Sequence, residues 1–323
     1  LGPGEYTVLV QNMAAFMTAY PDFTGTIAGV YSGSLDNAGE RIELIDAMGS
    51  VIHNFSYKDS WYDITDGKGF SLTVRNAAQT DLSLWDKKSG WRPSTAAGGS
   101  PGNEDSGIIP PLGAIVINEL LAHSDTDQYD WIELYNTTSE DINLGGWFLS
   151  DSNDDDAGRK KYQIPEGTII KANGFCVFYE NATFGNSSAP GCNVPFQFSE
   201  NGETVYLQSG QEGVLTGYLV EEEFGASEPD VAFGRYYKST GSYNFVAMST
   251  NTPGYNIPPY VNAYPKVGPI VITEIMYHPQ TNADAEYVEL QNISNASVTL
   301  YDWITHEPWR FVDNADSPGL EFY

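Results

Sequence analysis

The chain repeats itself out of phase with its own ends. Ile115-Val116-Ile117-Asn118-Glu119-Leu120-Leu121 returns as Ile270-Val271-Ile272-Thr273-Glu274-Ile275-Met276, a spacing of about 155 residues. Soon after each copy, Asp130-Trp131-Ile132-Glu133-Leu134-Tyr135-Asn136 is matched by Glu286-Tyr287-Val288-Glu289-Leu290-Gln291-Asn292. Other matches tie the first residues to the middle. Residues 3–10 (PGEYTVLV) resemble 172–179 (ANGFCVFY), and 37–44 (NAGERIEL) resemble 200–207 (ENGETVYL). The order therefore reads as the back half of a module over 1–105, a linker at 106–112 and a complete module over 113–256. A proline-rich linker at 257–265 and the front half of a further module over 266–323 follow. A half-module buries its apolar face only against a neighbour, so this mismatch constrains function more than any single residue does.

Acidic residues number 43 against 15 basic, a formal net charge of -28. Such a field repels phosphate backbones and argues against nucleic acid as a partner. It suits a solvated exterior or one that recruits divalent cations. No apolar run approaches the roughly 18 residues that cross a bilayer, so membrane insertion is not expected. A composition rich in Gly, Tyr, Thr, Ser and Asn reads as extracellular or cell-surface, and a chain opening on Leu1 reads as a cut.

Helical periodicity is confined to 12–20 (NMAAFMTAY). Elsewhere short alternating or apolar runs are broken by turn residues, the signature of strands. In the complete module these fall near 114–120, 130–136, 147–150, 161–164, 168–170, 175–179, 204–208 and 214–219. Many short strands at this spacing predict an all-β chain of tandem β-sandwiches, with Trp131 and Trp147 facing the core. The stretches 94–112 and 252–268 each carry Pro-Gly and then Pro-Pro, which predicts semi-rigid extended spacers.

These residues resemble the lamin-tail domain family, an immunoglobulin-like β-sandwich found in nuclear lamins and in bacterial exported proteins. The resemblance runs through Ile117-Asn118-Glu119, then 130–136 (DWIELYN) and 142–151 (INLGGWFLSD). It continues through Tyr162-Gln163-Ile164-Pro165, 168–175 (TIIKANGF) and Glu200-Asn201-Gly202-Glu203. Departures are a Tyr301-Asp302-Trp303 segment where the family carries Gly before Trp, and an inserted loop at 181–194. The family shares no catalytic residues, so the resemblance implies binding, spacing or assembly and no enzyme activity.

Several constellations bear on chemistry. Asp151, Asn153, Asp155 and Asp156 present oxygens at the alternate positions of a calcium loop, with Asp125, Asp127 and Asp130 nearby. A solvated acidic loop explains the same residues. Cys176 and Cys192 are spaced to close one loop, a disulfide worth about 3 kcal/mol, or to stay as buried thiols. Glycosylation sequons begin at Asn54, Asn136, Asn181, Asn186, Asn292 and Asn295. His123 and His278 hold matching places, which favours a structural role, while His53 and His306 stand alone. Tyr236, Tyr237, Trp303 and Trp309 are candidates for carbohydrate or surface adhesion, against ordinary core packing.

The expected function is an extracellular structural protein. Its C-terminal half-sandwich would meet the N-terminal half-sandwich of another copy, building a head-to-tail homopolymer such as a filament or surface layer. The same geometry would arise between adjoining modules of a longer chain. An alternative is a set of spacer or attachment modules beside an exported hydrolase or nuclease.

Overall fold

The structure, a computed structural model, describes residues 1–107, 109–125, 129–258, 261–302 and 307–309. The first strands are β1 (Thr7–Val10), β2 (Thr26–Val30), β3 (Arg41–Ile45), β4 (Val51–Ser56), β5 (Leu72–Val74) and β6 (Trp91–Pro93). The middle contributes β7 (Ile115–Leu121), β8 (Trp131–Asn136), β9 (Ile142–Asn143), β10 (Phe148–Ser150), β11 (Tyr162–Gln163) and β12 (Ile169–Ile170). It continues with β13 (Phe175–Tyr179), β14 (Gly202–Gln211), β15 (Val214–Gly225), β16 (Phe233–Tyr237) and β17 (Tyr243–Ala247), and β18 (Ile270–Met276) and β19 (Tyr287–Asn292) follow. The helix expected at 12–20 forms as α1 (Met13–Ala19), because the Asn12 side chain caps it by accepting the Ala15 amide at 3.0 Å.

Two sheets make the middle of the chain a closed sandwich. One has the order β13-β8-β7-β16-β17 and the other β11-β10-β14-β15. Alternation sends Ile117, Ile132 and Leu134 from the first sheet, and Leu149, Val205 and Leu207 from the second, into one core without solvent exposure. Tyr218 ties the sheets together from β15. Its hydroxyl donates to the Ile115 carbonyl at 2.6 Å and accepts the Ile115 amide at 2.9 Å. The β14–β15 hairpin turns on Glu212 and Gly213, both at positive φ, as a two-residue hairpin loop requires. The all-β sandwich expected from the sequence is what forms.

Both outer faces of this sandwich are covered, and here the sequence expectation needs correction. All seven residues of β7 are buried, although only alternate ones reach the core. On the outer side Asn118 and Glu119 are held by residues 252–258 and 261–266, a stretch expected to run as a semi-rigid extended spacer. It folds back over the sheet instead, burying Thr252 and Asn262, and pairs along the end of β17 through Ser249 N to Tyr264 O (2.9 Å) and Lys266 N to Ala247 O (2.7 Å). Buried polar anchors between the prolines override their stiffness. Trp131 belongs to this outer layer, packed with Leu121 and Ala232, while Trp147 faces the core as expected. The reason is parity: Trp131 shares its face of β8 with Glu133, opposite Ile132 and Leu134.

The second sheet is covered from the N-terminal side. Phe148 and Leu215 pack against Trp61, Tyr62, Ile64, Phe70 and Trp91. The stretch after β6 also docks, since Ala96 bridges Thr216, and a Cβ on Gly217 would meet the Ser94 carbonyl at 2.1 Å. That close approach explains the glycine in mid-strand.

Outside these layers the strands stand in pairs. β1 pairs with β2, β3 with β4, β5 with β6 and β18 with β19, each as a two-stranded sheet. In β3–β4 and β18–β19 many apolar residues are open to water: Leu44, Ile45, Val51, Ile52, Ile272 and Ile275 are all exposed.

Candidate assembly site

The outer face of the β7–β8 pair carries two buried carboxylates. Glu119 follows a bulge in β7, and Glu133 lies opposite it on β8. Glu119 accepts the Thr252 amide at 2.9 Å and the Thr252 hydroxyl at 2.5 Å. Glu133 accepts the Gly254 amide at 2.5 Å and the Asn118 side-chain amide at 2.6 Å. Asn118 also donates to Asn262 Oδ1 at 2.7 Å, so the network binds strand and overlying stretch together. Burial pushes the carboxyls of Glu119 and Glu133 up to about 7. The turn that caps them is Thr252-Pro253-Gly254-Tyr255, closed by Tyr255 N to Thr252 O at 3.2 Å with Gly254 at positive φ. Proline second and glycine third is the type II signature.

The hairpin β18–β19 reproduces β7–β8. Ile270 faces Asn292 as Ile115 faces Asn136, Met276 faces Tyr287 as Leu121 faces Trp131, and both ladders shift register at the matching bulge. The asparagine turns agree atom for atom. Asn136 Nδ2 donates to Glu140 O and Asn292 Nδ2 to Ala296 O, each at 2.7 Å; the amides of Thr138 and Ser294 donate to the respective Oδ1 at 2.9 Å. The environment is what differs. Ile117 and Leu120 are wholly buried, whereas their counterparts Ile272 and Ile275 are 52% and 57% exposed. Among the described residues, Glu274 and Glu289 bond only to neighbours within the hairpin, the Tyr287 and Thr273 hydroxyls.

The residues singled out in the sequence fall into separate places. Asp151 pairs with Lys161, Asp156 with Lys160 at 2.8 Å, and Asp155 accepts the Gly158 amide at 2.6 Å. These bonds draw the loop's oxygens apart, and among the described residues no three His, Cys, Asp or Glu side chains group as a metal site would. The calcium expectation at Asp151, Asn153, Asp155 and Asp156 finds no common centre, and Asp127 lies outside the described residues. Cys176 and Cys192 are free thiols, so the expected bridge is not formed. Cys192 donates to the Phe184 carbonyl at 3.4 Å, while Cys176 packs at the core and burial pushes its thiol up to about 11.

Among the sequon residues, Asn136 is fully buried with its amide spent on carbonyls, which leaves no room for a glycan. Asn54, Asn181, Asn292 and Asn295 are exposed, and Asn186 is half-buried. His123 Nδ1 donates to the Ser227 carbonyl, 3.0 Å away; His278 is exposed, His53 packs edge-on against Trp85, and His306 lies outside the described residues. Of the aromatic candidates, Tyr236 packs near Tyr264, Tyr237 lies beside Arg235, Trp309 is exposed, and Trp303 is outside the described residues.

The two sheets closed over one core make the middle of the chain an immunoglobulin-like β-sandwich. Its residues 110–219 match the family model of the Lamin Tail Domain, a family of non-catalytic immunoglobulin-like domains. No curated protein matches the chain.

Proposed function

We propose that this is a non-enzymatic structural protein of the extracellular space or cell surface. Copies join head to tail through the sandwich fragments flanking the closed middle sandwich. One observation carries the reading: a hairpin built like β7–β8, register and bulge included, holds in water the apolar side chains that β7–β8 buries. Fragments with unpaired strand edges and open apolar faces gain by pairing with a complementary fragment. Because the two fragments differ, the contact is heterologous, and unless it closes into a ring it propagates as a filament. The net charge of -28 keeps the remaining surface from clumping. Adjoining modules of one longer chain would meet by the same contact. Electron microscopy of the purified protein at neutral pH tests the reading. Filaments or sheets with a regular axial repeat are expected, and dispersed particles at high concentration would overturn it. The intact mass of the denatured subunit separates joined copies from a continuous chain.

A further inference from the structure

One carboxylate of the acidic loop stands apart from the others. In the second sheet β10 lies between β11 and β14. Asp151 directly follows β10, Lys161 directly precedes β11, and Glu203 is the second residue of β14. Three neighbouring antiparallel strands thus bring an amine and two carboxyls to one end of the sheet. Lys161 Nζ lies against Asp151 Oδ1, and both side chains are largely buried, 21% and 15% exposed. Glu203 is near enough to feel the charge of each, and its Oε1 accepts the Ser199 amide at 2.7 Å. The ring of Phe196, buried and stacked on Phe184, lies beneath the amine with its centroid 5.7 Å from Nζ.

This contact differs from an ordinary ion pair. An ammonium held for its charge directs a hydrogen along an oxygen lone pair. Asp151 Oδ1 is buried and, among the described residues, accepts no hydrogen bond, although the amine rests against it. Two charges taken out of water over aromatic rings are unfavourable, whereas a neutral amide in the same place is not. Both reacting groups are also held from behind. The amides of Asn193 and Val194 donate to the Lys161 carbonyl at 2.8 and 3.0 Å. Beside Asp151, Ser150 Oγ donates to the Gly158 carbonyl at 2.5 Å and accepts the Ser152 amide at 3.0 Å. Reactants fixed in contact condense as one molecule, without the entropic loss of bringing two together.

We infer that the side chains of Lys161 and Asp151 condense to an amide that links β10 covalently to β11, with Glu203 as the proton carrier. The ammonium first passes a proton to the Asp151 carboxylate. The freed lone pair of Nζ attacks Asp151 Cγ and the N–Cγ bond forms. The Cγ–OH bond then breaks, and the hydroxyl leaves as water with a proton supplied by Glu203. Glu203 recovers a proton from the new amide nitrogen and ends as it began, so the step balances without a co-reactant. Burial raises the Glu203 carboxyl, which suits a group that must hold a proton and return it. The product has a structural use. β11 is a two-residue strand at the sheet's edge, and the amide fastens it where ladder bonds are few. The link forms within one chain, so it stands whether or not copies assemble.

Mass spectrometry of the purified, denatured full chain tests the inference. The wild type is expected to be lighter than its sequence by one water, and Lys161→Arg and Asp151→Ala to have their full sequence masses. A tryptic digest locates the loss. Cleavage is expected after Arg159 and Lys160 but not after Lys161, and fragmentation should show the Asp151 peptide joined to Lys161 as a branch. Glu203→Gln keeps an acceptor for the Ser199 amide but has no acid proton to give. It should fold with the wild-type circular dichroism and form the link about a hundredfold more slowly, the usual scale for loss of a general acid. A wild-type chain of full sequence mass overturns the inference. So does a chain that has lost water only by cyclising within Asp151-Ser152, which gives a linear peptide. A Glu203→Gln chain linked as fast as wild type overturns the role given to Glu203. Electron microscopy of the unlinked variants keeps this question separate from assembly, since filaments or their absence leave the mass result unchanged.

Discussion

Glu119 holds Thr252 by both of that residue's donors, amide and hydroxyl, across 133 positions of chain. The contact fastens the proline-rich stretch onto the outer face of the sandwich and makes β7 a strand buried on both sides. Thr252→Val keeps the shape and deletes one donor, leaving a buried carboxylate oxygen unpaired. The expected loss is about 2 kcal/mol, within the range for an unsatisfied buried polar group. A chemical denaturation midpoint measures it. Hydrogen exchange should also show the amides of 252–264 opening before the core strands; unchanged exchange there would mean the stretch is held by something else.

The same pair makes stability depend on pH. In the unfolded chain the two carboxyls ionise near 4.5, whereas in the fold burial holds Glu119 and Glu133 up at about 7. The folded state therefore binds more protons between those values. Its advantage is complete below pH 4.5 and is lost as pH rises through 7. Asp130, raised by burial to about 6, acts with the same sign. The melting temperature should thus be higher at pH 5 than at pH 8. Glu133→Gln should shrink that difference, and an equal slope in wild type and variant would refute the assignment.

The sandwich was legible in the sequence because its core strands alternate cleanly, and because turn residues punctuate them. The repeat also marks both strands of the β18–β19 pair. The covering layers were not legible. Proline-rich segments predict extension from local stiffness, and only the tertiary bonds of Thr252 and Asn262 reveal that they dock. Alternation with charged neighbours predicts Trp131 in the core, yet strand parity with Glu133 puts it in the outer layer. β16 and β17 went unread, since Gly234 and Arg235 interrupt the apolar pattern. The assembly site had a signal that composition obscured. In a chain so acidic, two glutamates inside otherwise apolar strands look ordinary, and only their recurrence as Glu274 and Glu289 marks them as buried partners.

Asn136 and Asn292 offer a matched comparison of one turn in two environments. Asn136→Ala strips donors from the carbonyls of Glu140, Ile170 and Lys171 in a buried site, so a loss of about 2–3 kcal/mol is expected. Asn292→Ala acts on an exposed turn and should cost below about 1 kcal/mol in the unassembled chain. Thermal melts of the two variants check this. Should assembly bury the second turn, Asn292→Ala will approach the larger penalty in the polymer.

Phe148 decides whether the N-terminal segment and the middle sandwich behave as one unit. It is 2% exposed, yet it points away from the sandwich core into the cluster formed by Trp61, Ile64, Phe70 and Trp91. Phe148→Ala removes the central ring of that seam, at a cost of about 3–5 kcal/mol for a buried phenylalanine. The damage should be directional. Leu149 and the other core residues keep their packing, so the middle sandwich stays folded while residues 59–93 come loose from it. Limited proteolysis reads this out: the variant should be cut rapidly within 59–93 and yield a resistant fragment beginning near β7, where the wild type resists at both places. Because β5 belongs to the detached segment, the variant should also assemble poorly. Normal assembly of a chain cut this way would show that the joint does not depend on β5 being held in place.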